Sequence, residues 1–367
     1  MSQHPAAEQH LRYLDSARGI AAFIVFFGHF LDRALHGHRA LNWLGFLFNG
    51  SDAVSFFFVL SGFVLSYKYV VLRRPLDVRK FWVTRVFRIY PAFFIIVVLN
   101  VLLLYRNELS LHKLAELFVF NKTGFWQEAI LLRFHNTYYF PGWTLTFEMV
   151  CSLLMPFYIS LALTDRRLVP AMLVVLIVIG NTFAFSSHFL LGIIISSYYF
   201  VFSSPAFRES RWFRFRYLII LVAIFLFSVR RIDMISPFGP DYRWLADFLN
   251  IDYFHYSGLA SFVFLVAIIQ SRRTQRLLQT RPLIFLGQIS YSVYLVHTLC
   301  LNIVYYVLVP YVHLHGVALL AFITATYFLL TLVFAIAMYR AVELPSIRLG
   351  KRISARIRPS VVLITRS

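Results

Sequence analysis

The chain has 367 residues, of which 60% are hydrophobic, 18% aromatic and only 14% charged, against about 25% charged in a soluble domain. That composition excludes an ordinary soluble globular protein and predicts an all-α polytopic membrane protein. The net charge of +19 does not point to nucleic acid, because the arginines cluster between apolar runs instead of on a polar domain. It reads first as membrane topology, and second as attraction to anionic lipid headgroups or to an anionic cofactor.

The polar opening, residues 1–10, has no basic start, apolar core or small-residue cleavage site, so it is not read as a signal peptide and Met1 is expected in the cytoplasm. Apolar runs follow at residues 14–35, 53–71, 86–105, 143–163, 168–185, 189–202, 217–229, 257–270, 284–309 and 317–339. They predict about ten transmembrane helices, of which the sixth to eighth have short apolar cores. Lys and Arg alternate accordingly. Arg73, Arg74, Arg79, Lys80, Arg85 and Arg88, then Arg208 to Arg216, then Arg272 to Arg281, fall on one side, together with the basic tail at about 341–367. That places both termini in the cytoplasm. The whole chain, 1–367, is read as a single transmembrane domain ending in that tail. Cys151 and Cys300 lie inside apolar runs and read as small core residues rather than a disulfide.

Within the first run, Arg18 and His29 stand eleven residues apart. On a helix this puts them within roughly 20° of one face and about 16 Å apart along the axis. An ionisable group inside hydrocarbon is a candidate functional site. In the next outer loop His36 and His38, with Asp32 nearby, are too few ligands to argue for a metal, and no metal is expected. The segment from Phe56 to Phe63 contains the small pair Ser61–Gly62, which reads as close helix packing or as the wall of a narrow channel.

Arg85 and Arg88 are neighbours on one helix face at the start of the third run, and Pro91 is read as lying in the first turns of that helix. The two guanidiniums serve either as a phosphate clamp or as topology determinants. The first long outer connection, 106–142, includes an amphipathic stretch, 109–120; the second, 230–256, is rich in Tyr, Trp, Asp and Pro. Both suit a hydroxylated ligand and equally suit interfacial anchoring. Glu148, opening the fourth run, reads as the partner of an arginine or as a catalytic or substrate-binding acid. Ser290, Tyr294 and His297 share a face in the ninth run, where the histidine reads as a hydrogen-bonded core residue when taken alone. Glu343 closes the last helix at the inner surface, in reach of pairing with Arg85 or Arg88.

In order and spacing, the strings running from Leu14 through Arg18 to His29, Phe57 to Phe63, Arg85 to Pro91, Trp143 to Glu148, Ser290 to His297 and Glu343 to Pro345 closely resemble the membrane acyltransferase-3 family. O-antigen and Nod-factor O-acetylases are members of this type. The resemblance implies transfer of an acyl group, commonly acetyl from acetyl-CoA, to a hydroxyl of a glycan or related molecule. It implies His29, paired with Arg18, as the catalytic residue and a link to the acyl donor for Arg85 and Arg88. The basic inner face at Arg18, Arg85 and Arg88 is expected to take the phosphates of the donor, and Glu148, or Asp15 in its place, is expected to orient or charge-balance the imidazole. Trp143, Tyr294 and His297 are assigned to substrate binding. Some members add an esterase-like domain after the membrane region; here a stand-alone mechanism is expected. The expected partners are acyl-CoA, a glycan or other hydroxylated acceptor, and the bilayer, with no nucleic acid. The expected site is a bacterial inner membrane. The competing reading is a transporter or flippase of a lipid-linked or anionic substrate that uses buried His and Glu groups as proton relays.

Overall fold

The computed structural model describes residues 11–34, 48–121, 124–133, 137–179, 184–235, 253–358 and 362–363. His36, His38, the N-terminal ten residues and most of the second outer connection lie outside them. Apart from the two-residue strands Leu76–Asp77 and Val362–Leu363, the described elements are helical, so the protein is an all-α membrane protein. Among the described residues, six helical stretches are long and apolar enough to cross a bilayer: Arg12–Ala34, Asp52–Val70, Val78–Leu104, Gly142–Thr164, Arg281–Tyr311 and Gly316–Arg356. Four shorter apolar helices, Leu168–Val178, Phe185–Ser197, Arg216–Phe227 and Tyr256–Gln270, coincide with the fifth to eighth runs.

The chain divides into two compact units. The first comprises Met1–Leu76, Leu154–Gln288 and Val361–Ser367, and the second Asp77–Leu153 and Ile289–Ser360. In the first unit, α1 (Arg12–Ala34) and α2 (Gly50–Val70) pack together. Asn49 caps the start of α2 by accepting from the Asp52 amide at 3.3 Å, as its position just before the helix favours. Proceeding along the chain, α3 (Val78–Leu104), the short helix α4 (Phe125–Ala129) and α5 (Gly142–Thr164) lead to α6 (Leu168–Ile179) and α7 (Ala184–Ser197). Then come α8 (Arg216–Ile235) and α9 (Tyr253–Gln270).

Helix α2 is the centre of the first unit, packed on α1, α7 and α9. It approaches α7 at two glycines. A Cβ on Gly62 would lie 2.1 Å from the Phe189 carbonyl oxygen, and one on Gly192 would lie 2.1 Å from the Val59 carbonyl oxygen. The packing role of the Ser61–Gly62 pair is therefore realised at Gly62, and hydrocarbon-facing helices associate through such close backbone contact. Ser66 and Ser196 add a hydroxyl pair at 2.7 Å in the same seam. Around it Leu14, Ala17, Val59, Leu60, Phe63 and Ile195 form a buried core.

In the second unit, Asp77 caps α3 by accepting from the Lys80 amide at 3.1 Å. This helix therefore begins at Val78, eight residues before its apolar run, and Pro91 lies in its interior instead of its first turns. Hydropathy alone missed that start because Arg79, Lys80 and Arg85 occupy it. The long helices that complete this unit are α10 (Arg281–Ile303), whose second half belongs to it, α11 (Gly316–Met338) and α12 (Leu344–Arg356). A π-helical turn, Tyr339–Glu343, joins α11 to α12. Cys151 and Cys300 are buried free thiols, as their apolar settings predict.

Candidate functional site

Arg18 and His29 lie on one uninterrupted helix, α1, in the first unit. The Arg18 guanidinium donates from Nη1 to Asp15 Oδ1 at 3.1 Å, one turn earlier. Both Arg18 and His29 are half-buried. The backbone beside the histidine is tightly held: a Cβ on Gly28 would meet the Phe48 carbonyl oxygen at 2.6 Å, and Phe27 meets the Phe48 ring edge-on at 4.5 Å. Close to Arg18, Gly19 packs against the Gly287 backbone, where an added Cβ would lie 2.6 Å from the Gly287 nitrogen. Small residues thus fix the helix carrying both groups along its length, so their axial offset of about 16 Å follows from helix geometry.

The same unit holds a buried polar seam that hydropathy did not single out. His188 on α7 is fully buried, lying near the Phe58 ring and so close to Gly258 that a Cβ there would clash with the imidazole at 2.1 Å. Nearby on α2 and α9, the hydroxyls of Ser55 and Ser257 share a hydrogen bond of 2.8 Å. His188 sits in a short apolar run bounded by Ser186 and Ser187; those flanking serines were its signal.

In the second unit, Arg85 on α3 pairs with Glu148 on α5, and its Nε donates to Ser152 Oγ at 3.2 Å. The two charged side chains retain only 12% and 13% of their exposure. Of the alternatives left open for Glu148, arginine partner is the one the geometry displays. The Tyr291 hydroxyl donates to the Ile89 carbonyl at 2.8 Å and feels the charges of Glu343, Arg88, Arg85 and Glu148. Glu343, buried on the π-helical turn, accepts from Ser292 Oγ at 2.7 Å. Two arginines, two carboxylates and three hydroxyls therefore share one polar cluster inside this unit. In a low-dielectric setting such groups are tolerable only when mutually paired.

Tyr294 and His297 form a second, wholly buried network there. His297 Nδ1 donates to the Tyr294 carbonyl at 2.6 Å, one turn back, and the Tyr139 hydroxyl donates to the same oxygen at 2.9 Å. The Tyr294 hydroxyl reaches Thr144 Oγ1 and the Pro141 carbonyl. Trp143, half-buried, meets Phe147 edge-on at 6.2 Å. The local bond from His297 fits its spacing from Tyr294, whereas the partners supplied by residues 139–144 were not legible from the ninth run alone.

The connection between α4 and α5 is organised by a residue that sequence reasoning passed over. Glu128 on α4 is fully buried and accepts from three consecutive amides, those of Thr137, Tyr138 and Tyr139, at 2.7, 3.0 and 2.7 Å. Burial pushes this carboxyl up, and it outweighs the three amide donors and Arg133, which pull it down. In the amphipathic stretch, Leu111, Val119 and Phe120 are exposed. A half-buried imidazole such as His29 can take up and return a proton.

Comparison with curated proteins and with solved structures gave no match. The acyltransferase-3 profile, described as an acyltransferase domain, matches residues 11–340, a span that includes Arg18, His29, Arg85, Arg88, Glu148, Tyr294 and His297. The chain belongs to this acyltransferase family and is a membrane acyltransferase.

Proposed function

We propose that the protein is an O-acyltransferase that moves an acetyl group from cytoplasmic acetyl-CoA to a hydroxyl of a glycan or related acceptor, with His29 as the catalytic residue. The observation that carries this reading is the placement of Arg18 and His29 on one rigidly packed helix within the family's matched span. Arg18 would meet phosphate oxygens of the donor, and the offset of about 16 Å to the imidazole suits the length of a pantetheine arm. Neutral His29 takes the proton from the acceptor hydroxyl as its oxygen attacks the thioester carbonyl. The carbon–sulfur bond breaks, and the departing CoA thiolate recovers that proton from the imidazolium. Direct acylation of the imidazole is the variant of this chemistry.

Arg85 and Arg88 are assigned to donor binding as a separate proposal. Glu148 aligns the guanidinium of Arg85, so its contribution is positional. Trp143, Tyr294 and His297 are proposed to act on the acceptor side, with the hydrogen bonds from residues 139–144 holding Tyr294 and His297 in place. The topology proposed is ten crossings with both termini cytoplasmic, in a bacterial inner membrane. Its support is the alternation of basic loops and the coincidence of six long and four short apolar helices with the ten runs.

The deciding experiment supplies purified protein in lipid nanodiscs with acetyl-labelled acetyl-CoA and candidate glycans. Transfer of label to the acceptor with release of free CoA is expected, matched by loss of the acetyl mass increment from surface glycans in cells lacking the protein. Movement of a lipid-linked substrate between leaflets with no acetyl transfer would overturn the reading in favour of a flippase.

A further inference from the structure

We infer that α12 is a docking surface for anionic phospholipid headgroups of the cytoplasmic leaflet, lying outside the family's matched span of 11–340. The leaflet rests on the proposed topology; the surface itself rests on α12. Arg348, Lys351, Arg352 and Arg356 are all exposed. At 100° per residue they occupy an arc of about 140°, while Gly350 and Ser354 lie on the opposite side. These last two are the buried members of the helix. Gly350 presses on α3, where a Cβ would lie 2.5 Å from the Phe87 Cβ. The basic arc therefore faces away from α3 and from the polar cluster around Arg85. Among the described residues, no ion pair involves these four side chains.

The level of the arc follows from two contacts. Gly350 meets Phe87, and Glu343, at the other end of the first turns, binds Ser292, whose neighbour Tyr291 bonds the Ile89 carbonyl. Phe87 and Ile89 stand at the start of the apolar run of α3, which is the hydrocarbon boundary. Arg348, Lys351 and Arg352 lie within about 3 Å of Gly350 along the axis, and Arg356 about 9 Å beyond it. The headgroup zone on each side of a bilayer is about 5–7 Å deep. Arg348, Lys351 and Arg352 are thus held at headgroup depth, Arg356 stands just beyond it within reach of its long side chain, and the exposed Leu349 on the flank of the arc suits the acyl boundary. A lipid phosphate complements this face in charge and is present at that depth.

The test uses full-length protein in phosphatidylcholine nanodiscs with and without phosphatidylglycerol, with retained lipid read by native mass spectrometry. The wild type is expected to retain phosphatidylglycerol preferentially, by about fivefold for each basic side chain. Changing Arg348, Lys351, Arg352 and Arg356 together to Gln should cut that preference more than tenfold and leave acetyl-CoA affinity unchanged. The charge-preserving set Arg348→Lys, Arg352→Lys and Arg356→Lys should retain it. An unchanged lipid preference in the Gln variant overturns the inference. Loss of acetyl-CoA affinity with lipid preference intact also overturns it and assigns the arc to the donor's phosphates. Should the Gln variant fail to fold, a spin label at Leu349→Cys in the otherwise native chain reports depth, since Cys151 and Cys300 are buried. Protection from an aqueous relaxation agent, greater with phosphatidylglycerol than without, is expected; full aqueous access in both lipids overturns the inference.

Discussion

Arg85 and Glu148 form an ion pair across α3 and α5, with Ser152 as a second acceptor for the guanidinium. Breaking a buried pair leaves one uncompensated charge, at a penalty of about 3–5 kcal/mol. Glu148→Ala is therefore expected to lower the thermal unfolding midpoint sharply, and the double variant Arg85→Met, Glu148→Met to recover most of that loss. If Arg85 also serves the donor, the double variant stays folded yet binds acetyl-CoA more weakly. Thermal unfolding in detergent together with isothermal titration of acetyl-CoA separates the two effects; unchanged donor affinity removes Arg85 from donor binding.

His29 is half-buried on α1, and Gln keeps a hydrogen-bonding side chain of similar reach, so the substitution should spare the fold. His29→Gln is expected to lower acetyl transfer by about 10²–10⁴, the usual contribution of a general base, with the unfolding midpoint nearly unchanged. Quenched reactions with labelled acetyl-CoA then divide the two roles. Label retained on the wild-type protein before acceptor is added, and absent from His29→Gln, identifies an acyl-imidazole; prompt transfer with no labelled protein identifies a base.

The parts of this architecture that depend on neighbouring residues were readable from sequence. Arg18 and His29 share a helix face because nothing between them breaks α1, and the His297 bond to Tyr294 spans a single turn. Long-range pairings were not readable. Arg85 had two candidate acids, Glu148 and Glu343, and only the fold, which brings Arg85 on α3 to Glu148 and Ser152 on α5, selects Glu148. Helix ends depended on caps: Asp77 starts α3 in a basic stretch that hydropathy scores as loop. His188 and Glu128 escaped notice because burial, which gives each its importance, is a property of the fold.

The seam between α2 and α7 gives a prediction about packing. With Cβ positions 2.1 Å from backbone oxygens at both Gly62 and Gly192, neither site can accept a methyl group without separating the helices. Overpacking of this kind costs about 1–3 kcal/mol, and occasionally more. Gly62→Ala and Gly192→Ala should each lower the unfolding midpoint. Because they act on one contact, the double variant should fall short of the sum of the two. Additive losses in thermal unfolding would mean the helices part independently at each site.

Glu128 gives the most local test, because its carboxylate is the acceptor for the amides of Thr137, Tyr138 and Tyr139. Tyr138 and Tyr139 are buried while Thr137 is exposed, and each buried amide left without a partner costs about 1–3 kcal/mol. Glu128→Ala strips all three at once, so the connection between α4 and α5 should open while the spanning helices stay folded. Glu128→Gln keeps one carbonyl oxygen, enough for part of the set, and should give an intermediate response. Amide hydrogen exchange at 137–139 reads this directly, with exchange fastest in Glu128→Ala, slower in Glu128→Gln and slowest in the wild type. Since Tyr139 also bonds the Tyr294 carbonyl, exchange near Tyr294 should rise in step. Unchanged protection at 137–139 in Glu128→Ala would show that the carboxylate does not hold this loop.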